Sequence, residues 1–127
     1  MREFLMVGLG GFAGATARYS VLWFVQNFVK RSFFPYGTLL VNLVGCLIVG
    51  AVLELMESRG MFDESIRCFL VVGVLGAFTT FSSFSAETMA LFSQGRELAA
   101  VVNMAANVIL CLAGVYAAKM LVMSIYH

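Results

Sequence analysis

The stretch GVLGAFTTFSSFSAETM, residues 73–89, decides how this chain folds. It lies where a third apolar segment is expected to cross a membrane, yet it contains five hydroxyl side chains, two phenylalanines among them and Glu87 near its end. A lipid-facing helix gains nothing from hydroxyl groups, because a polar group away from water needs a hydrogen-bond partner. The stretch therefore indicates a segment with a role beyond crossing the bilayer. The hydroxyl residues are Thr79, Thr80, Ser82, Ser83 and Ser85.

The composition is that of an all-α integral membrane protein. Of 127 residues, 61% are hydrophobic and 12% are charged, whereas soluble domains are about half apolar and about a quarter charged. The net charge of +1 provides no basic patch, so nucleic acid is not expected as a partner. The sequence shows neither a nucleophile–base pair nor a metal cluster, and the three cysteines, spread over apolar segments, are predicted to be small apolar fillers. We therefore do not expect an enzyme.

Four segments, at about 4–29, 36–54, 66–94 and 97–120, are long and apolar enough to be membrane helices. The first resembles a signal peptide, but its glycine spacing suits a packed helix, so we expect it in the mature protein. Short loops favour antiparallel neighbours. The chain is thus predicted to be a single four-helix unit, residues 1–127, with both termini on one side of the membrane.

Small residues recur four positions apart, a spacing that lets helix backbones approach closely in lipid. This pattern is expected to serve packing within or between subunits. The pairs are Gly10 with Gly14, Cys46 with Gly50, and Gly73 with Ala77.

Basic residues are almost balanced between the two predicted sides, four against three, so the chain has little orientation signal. Four helices are also too few to enclose a pore. Both facts favour an antiparallel, dual-topology homodimer whose two-fold axis lies in the membrane plane. The residues compared are Arg2, Arg59, Arg67 and Lys119 on the side of the termini, and Lys30, Arg31 and Arg96 on the other side.

Glycine and clustered hydroxyls predict a break in the third helix near residues 76–80. Non-helical backbone at membrane depth is tolerated only where it is buried in protein or lines a wet cavity. The break would free carbonyl oxygens at the negative end of the first half-helix, which suits a cation. In a two-fold dimer, two carbonyls from each chain would place four oxygens around a small alkali ion.

Past the break, Phe81 and Phe84 share a helix face, and Ser82 and Ser85 repeat this spacing on an adjacent face. Hydroxyl protons and the electropositive edges of phenyl rings together could replace the lost hydration of an anion. Periodicity alone also allows both rings to be ordinary packing groups. Asn42, deep in the second segment, is either a tether between helices or a pore group.

These residues resemble the Fluc (CrcB) family of fluoride channels over nearly the whole chain, in GGFAGATAR (10–18), GTLLVNLVG (37–45) and GVLGAFTTFSSFSAE (73–87). The resemblance implies a passive, fluoride-selective channel in the plasma (inner) membrane that sheds fluoride entering as HF and so relieves fluoride toxicity. It also implies an antiparallel dimer with two pores and a central structural Na⁺.

The resemblance also assigns roles to individual residues. The carbonyls of Gly76 and Thr79 would hold sodium. The fourth segment departs from the family, which often has Ser or Thr where this chain reads NVILCLAGVYAA, so Asn107, Cys111 or Tyr116 would substitute. The residues that would line the pore or bind fluoride are Arg18, Asn42, Thr80, Phe81, Ser82, Ser83, Phe84, Ser85 and Glu87.

The roles of Glu87 and Arg18 and the class of function each have alternatives that the residues leave open. Glu87 has three alternatives: it caps the pore end, bonds Ser83 one turn away, or is protonated. Arg18 either attracts anions or pairs with a nearby carboxylate or carbonyl. The rival function is a small dual-topology, proton-coupled multidrug exporter, but such exporters have an acidic residue in helix one and this chain has none between Phe4 and Val29. A structural four-helix subunit would not need the hydroxyl and phenylalanine track.

Overall fold

The computed structural model describes residues 1–30 and 32–126, and only the backbone of Arg59. Arg31, whose charge entered the comparison of the two sides, lies outside the described residues. Within those ranges the ordered elements are helices: α1 Arg2–Phe28, α2 Tyr36–Arg59, α3 Glu64–Arg67, a π-helical stretch Cys68–Leu75, α4 Gly76–Phe78, α5 Phe81–Ser93 and α6 Glu97–Tyr126. Residues 64–93, from α3 to the end of α5, are the third helix of the bundle.

The predicted all-helical membrane architecture is confirmed. Three helices of the described chain are long and apolar enough to cross a membrane: Tyr36–Ser58, Glu64–Ser93 and Glu97–Tyr126. Helix α1 has 27 residues and is not among them. Its apolar run is interrupted by polar side chains at Thr16, Arg18 and Ser20, which lowers its mean hydropathy.

Two helices continue beyond the ends expected at 54 and 120. α2 runs to Arg59 and α6 runs to Tyr126. The charged residues that suggested the ends are paired across the two helices instead: Lys119 Nζ lies 3.2 Å from Glu54 Oε2 and 3.0 Å from Glu57 Oε2. Because Glu54 is buried with this partner, its charge does not require a loop.

Glycines set the approach of α1 to the third helix, as the small-residue spacing predicts. A Cβ on Gly73 would lie 2.9 Å from the Cα of Gly10, and a Cβ on Gly14 would overlap the carbonyl oxygen of Val74. On the other side of the bundle, α2 packs mainly along α6, where a Cβ on Gly50 would overlap the carbonyl of Val115. Backbone-to-backbone packing of this kind stabilises helix pairs in lipid, where no hydrophobic effect drives them together.

Among the described residues, buried polar side chains are as many as buried hydrophobic ones, seven of each. Large apolar side chains face outward instead; Phe12 on α1, for example, is 76% exposed. Lipid tails are as apolar as leucine, so an apolar exterior costs nothing in a bilayer, and buried polar groups must find partners inside the bundle. The buried polar residues are Thr38, Glu54, Ser65, Thr80, Thr88, Asn103 and Asn107.

Candidate functional site

The third helix is broken between Phe78 and Phe81, as predicted. Thr79 and Thr80 are both extended, with φ and ψ of −78° and 157° for Thr79 and −150° and 114° for Thr80. α5 restarts with Thr80 as its N-cap, whose hydroxyl accepts a hydrogen bond from the Ser83 N–H at 3.2 Å. A capping side chain satisfies one of the free N–H groups of a new helix, so α5 can begin within the bundle.

The side chain of Asn42 holds the other polar groups of the break. Its Oδ1 accepts from the Thr80 N–H at 2.8 Å, and its Nδ2 donates to the Thr80 carbonyl at 3.2 Å. Nδ2 also donates to Asn107 Oδ1 at 3.0 Å. Of the two readings that the sequence left open, the contacts favour the tether: both amide protons of Asn42 are used inside the subunit.

Because the N–H groups of Thr80 and Ser83 bond side chains, two backbone carbonyl oxygens lack their helical hydrogen-bond donors. In a continuous helix the Gly76 carbonyl would accept from the Thr80 N–H, and the Thr79 carbonyl would accept from the Ser83 N–H. Those donors bond Asn42 and Thr80 Oγ1 instead, and no other donor reaches either carbonyl from the described residues. An unpaired carbonyl oxygen is a hard ligand atom of the kind that an alkali or alkaline-earth cation prefers. The carbonyls of Gly76 and Thr79 are therefore chemically suited to a cation.

The break opens onto a cavity of about 400 Å³, here called the central cavity. It brings together most of the residues that the sequence assigns to the site. Cys46 and Cys111 also face it, so these two cysteines line a cavity wall and do not merely fill the core. Its lining comprises Asn42, Gly45, Cys46, Val49, Val71, Leu75, Gly76, Thr79, Thr80, Phe81, Phe84, Asn107, Val108 and Cys111.

The two phenylalanines meet in a tilted pair on the wall of this cavity. Their ring centroids are 5.4 Å apart and the rings are inclined by 52°. Phe84 is buried in the bundle, whereas Phe81 is 79% exposed on the subunit surface. The expected shared face is therefore split, with one ring held by the bundle and the other presented outward.

The predicted column of hydroxyl donors is only partly available. Ser85 donates to the Phe81 carbonyl at 2.9 Å, and Thr79 donates to the Leu75 carbonyl at 3.0 Å. These are bonds of a side chain to its own helix, the commonest role of Ser and Thr in membrane helices. Ser82 is exposed within 3.3 Å of Thr80 Oγ1, and half-buried Ser83 accepts from Thr80 at 3.0 Å.

Glu87 lies away from the break, beside a second cavity of about 250 Å³. Its Oε1 accepts from Thr38 Oγ1 at 2.7 Å, and its Oε2 is buried without a hydrogen-bond partner among the described residues. The alternative in which Glu87 bonds Ser83 is wrong, because neither carboxylate oxygen of Glu87 is hydrogen-bonded to Ser83, whose hydroxyl accepts from Thr80 instead. At the same end of the bundle the Arg96 guanidinium stacks over the Phe33 ring, 4.0 Å from its centroid.

The structure leaves Arg18 and Tyr116 outside this assembly. Arg18 is half-buried on α1, lines neither cavity and makes no hydrogen bond or ion pair with a described residue. Tyr116 is 67% exposed on α6 and does not line the central cavity. Of the three fourth-helix substitutes considered, Asn107 and Cys111 reach the cavity.

Sequence reasoning missed Thr38, Thr88 and Asn103. Asn103 and Thr88 are buried and hydrogen-bonded to each other at 2.9 Å. Asn103 could have been found, because Asn103 and Asn107 are one turn apart in an apolar segment and must face the same side of a helix. No group of three or more potential metal-ligating side chains occurs among the described His, Cys, Asp and Glu residues, so a cation here would depend on backbone oxygens.

Comparison with known proteins points to one family. The model of the family described as CrcB-like protein, Camphor Resistance (CrcB), matches residues 5–119. A protein of Idiomarina loihiensis named fluoride-specific ion channel FluC is 48% identical over 119 residues, which cover 94% of this chain and 91% of that protein.

Two further relatives come from other organisms. Fluoride-specific ion channel FluC 1 of Methanosarcina acetivorans is 43% identical over 94% of this chain and 89% of its own length. FluC of Ruminiclostridium cellulolyticum is 40% identical over 98% of this chain and 95% of its own length. Similarity at this level over nearly the full length of both chains shows the family: this multi-pass membrane protein belongs to the CrcB (FluC) family of fluoride channels.

Proposed function

We propose that this protein is a passive, fluoride-selective channel of the plasma membrane that lets the cell shed fluoride. The observation that carries the proposal is the tilted Phe81–Phe84 pair, which stands directly after the helix break on the wall of the central cavity. The ring edges of such a pair present positive charge to a small anion without a fixed cation that would trap it. The relatives described above carry the name of fluoride-specific channels, and channels are not enzymes, as expected from the sequence.

The conducting form proposed is an antiparallel homodimer. In one subunit the central cavity is open to the surface, and its outer ring, Phe81, is 79% exposed. A second copy laid across this face would close the cavity on the side where a single chain has no wall. The near-equal numbers of basic residues on the two sides are compatible with both orientations in one membrane.

A structural sodium ion at the dimer centre is part of the proposal. The carbonyls of Gly76 and Thr79 have no helical donor, and a two-fold axis near them would assemble four oxygens from two chains. Sodium bound there would link the two broken helices and neutralise the negative ends of the first half-helices.

The rival exporter needs an ionisable group that cycles between proton and substrate. Glu87 is such a group in principle, since its Oε2 is buried and unpartnered among the described residues. It lies in the third helix, however, and α1 carries no acidic residue after Glu3. The assay of fluoride transport therefore has to distinguish passive conduction from proton-coupled transport.

Ion efflux from proteoliposomes tests the function. Purified protein is expected to release fluoride much faster than chloride, because only closely spaced donors offset the large cost of dehydrating fluoride. The fluoride rate should follow the electrochemical gradient of fluoride with or without an imposed pH gradient. Comparable chloride efflux would refute selectivity, and drug uptake driven by a proton gradient would support the exporter.

A further inference from the structure

A chain of side-chain hydrogen bonds starts and ends on the turn that carries Phe84. The donor-to-acceptor direction is the same in all five hydrogen bonds. Each side chain accepts a bond from the preceding member and donates one to the next. The chain leads from α5 to α2, across to α6, and back to α5. In order, it is Thr80 N to Asn42 Oδ1 at 2.8 Å, Asn42 Nδ2 to Asn107 Oδ1 at 3.0 Å, Asn107 Nδ2 to Asn103 Oδ1 at 3.1 Å, Asn103 Nδ2 to Thr88 Oγ1 at 2.9 Å, and Thr88 Oγ1 to the Phe84 carbonyl at 2.7 Å.

Asn42 is half-buried on the wall of the central cavity, and the side chains beyond it on α6 and α5 are buried. Asn103 is 0% exposed, Thr88 5% and Asn107 6%. Amide groups at membrane depth are costly unless they are satisfied, so a chain that satisfies them in sequence resists rearrangement. Aligned hydrogen bonds also polarise one another, which strengthens the chain as a unit.

Both ends of the chain attach to one helical turn. Thr80 is the N-cap of α5, and Phe84 lies four residues later, so the two anchor points bracket the turn from which the Phe84 ring projects. α6 has no covalent link to this turn other than the connection after Ser93. Among the described residues, the side-chain hydrogen bond that joins α6 directly to α5 is the one from Asn103 to Thr88.

We infer that Asn103 and Thr88 are positioning residues for Phe84: their mutual hydrogen bond keeps the buried ring in register with the exposed Phe81 ring at the central cavity. This inference rests on the proposed function insofar as Phe84 borders the fluoride pathway. Neither residue lines the central cavity, so neither is placed to touch the ion.

A closely matched control exists in the same chain. Thr16 on α1 donates to the Phe12 carbonyl at 2.8 Å, as Thr88 donates to the Phe84 carbonyl at 2.7 Å. Both are threonines bonded to their own helix one turn back. Thr16 is exposed, and its hydroxyl accepts no hydrogen bond from another described residue, so the comparison of the two valine variants isolates the role of the Asn103 bond.

The test compares Thr88→Val, Thr88→Ser, Asn103→Leu and the Thr88→Val/Asn103→Leu double variant in full-length protein. Fluoride and chloride efflux are measured per dimer in proteoliposomes. Thr88→Val and Asn103→Leu should each lower fluoride efflux about tenfold, since each removes the buried hydrogen bond between α6 and α5. Thr88→Ser should keep most of the wild-type rate, and Thr16→Val should behave as wild type. The double variant should lose little more than the worse single variant, because both single variants already remove the same Asn103–Thr88 bond.

A readout that needs no transport accompanies the efflux. With 4-fluorophenylalanine placed at position 84, the ¹⁹F resonance should shift or broaden in Thr88→Val and Asn103→Leu but not in Thr16→Val. An unchanged resonance overturns the inference, and so do wild-type efflux in both single variants or losses that multiply in the double variant. If Asn103→Leu yields no dimer, the contrast between Thr88→Val and Thr88→Ser decides. A wild-type protein that passes no fluoride refutes the proposed function and leaves the resonance to judge the positioning role.

Discussion

Asn42 on α2 replaces a missing helical turn for Thr80: its amide accepts from the Thr80 N–H at 2.8 Å and donates to the Thr80 carbonyl at 3.2 Å. One side chain thus satisfies both polar groups of a residue that lies outside any helix. In a bilayer an extended residue needs such a partner, because water is not available to it. The break and Asn42 are one structural unit, although 38 residues separate them in sequence.

Asn42→Leu should destabilise the protein and impair conduction together. Both backbone groups of Thr80 lose their partner, and each unpaired buried group costs about 1–3 kcal/mol. Asn27→Leu is the control, because Asn27 Nδ2 bonds only the Trp23 carbonyl at the exposed end of α1. Thermal unfolding of the detergent-solubilised dimer and fluoride efflux are measured on both. A wild-type melting temperature for Asn42→Leu would show that the two hydrogen bonds between Asn42 and Thr80 contribute little to stability.

Gly14→Ala should weaken the packing of α1 on the third helix. Its Cβ would overlap the Val74 carbonyl oxygen, a backbone atom that cannot move aside cheaply, so a cost of about 1–3 kcal/mol is expected. Gly11→Ala, in the same helix, meets nothing within 4 Å and should be neutral or slightly stabilising because alanine favours helix. Equal melting temperatures for the two variants would contradict the close approach of α1.

Gly76→Val should spare the subunit and impair the dimer, whereas Thr79→Ser should be tolerated in both. Within the subunit a Cβ at Gly76 meets only the Val71 carbonyl, at an ordinary 3.6 Å. The harm therefore comes from crowding the proposed cation and partner, with a smaller contribution from the restricted β-branched side chain. Serine at 79 keeps the hydroxyl bond to Leu75 and the backbone path.

The measurement for the position-76 and position-79 variants is the size-exclusion profile in sodium and in a sodium-free buffer, together with fluoride efflux. Wild type and Thr79→Ser should elute as dimers in sodium and dissociate more readily in the sodium-free buffer. A Gly76→Val protein that dimerises and conducts as wild type would refute the carbonyl site.

Phe81→Ile and Phe84→Ile should both abolish most fluoride flux, yet differ in stability. Phe84 is buried, so its replacement costs about 1–3 kcal/mol in packing, whereas Phe81 is 79% exposed and its replacement barely affects the subunit. Isoleucine keeps apolar volume and removes the electropositive ring edge. Phe12→Ile, at an exposed ring on α1, is the control. Normal conduction in both pore variants would make the rings packing groups.

Both orientations should occur in one membrane. Ser58 is exposed near the end of α2. In a background without Cys46, Cys68 and Cys111, a cysteine at position 58 is the single thiol of the protein. A membrane-impermeant thiol reagent is expected to label Ser58→Cys in similar amounts from each side. Labelling from one side alone would argue against the inverted dimer, unless a second, oppositely oriented chain is supplied by a related protein.

Composition and local pattern were sufficient for the helical architecture and for the break. Apolar length predicts the helices because backbone groups in lipid must bond within their own segment. The run of glycine and hydroxyl residues from Gly76 to Thr80 predicts the interruption because these residues favour non-helical alternatives. The ends of α2 and α6 escaped this reasoning, because Glu54 and Lys119 neutralise each other only after the two helices pack.

The partners inside the bundle depended on the tertiary structure. Nothing local distinguishes Asn42 as a tether from Asn42 as a pore group, since that choice depends on Thr80 and Asn107, which lie 38 and 65 residues away. The pairing of Glu87 with Thr38 is likewise a contact over 49 residues. Each hydrogen bond is short-ranged and directional, so it forms only where folding brings a donor within about 3 Å of an acceptor. Sequence pattern thus specifies which polar groups must be satisfied, and helix packing decides which group satisfies each.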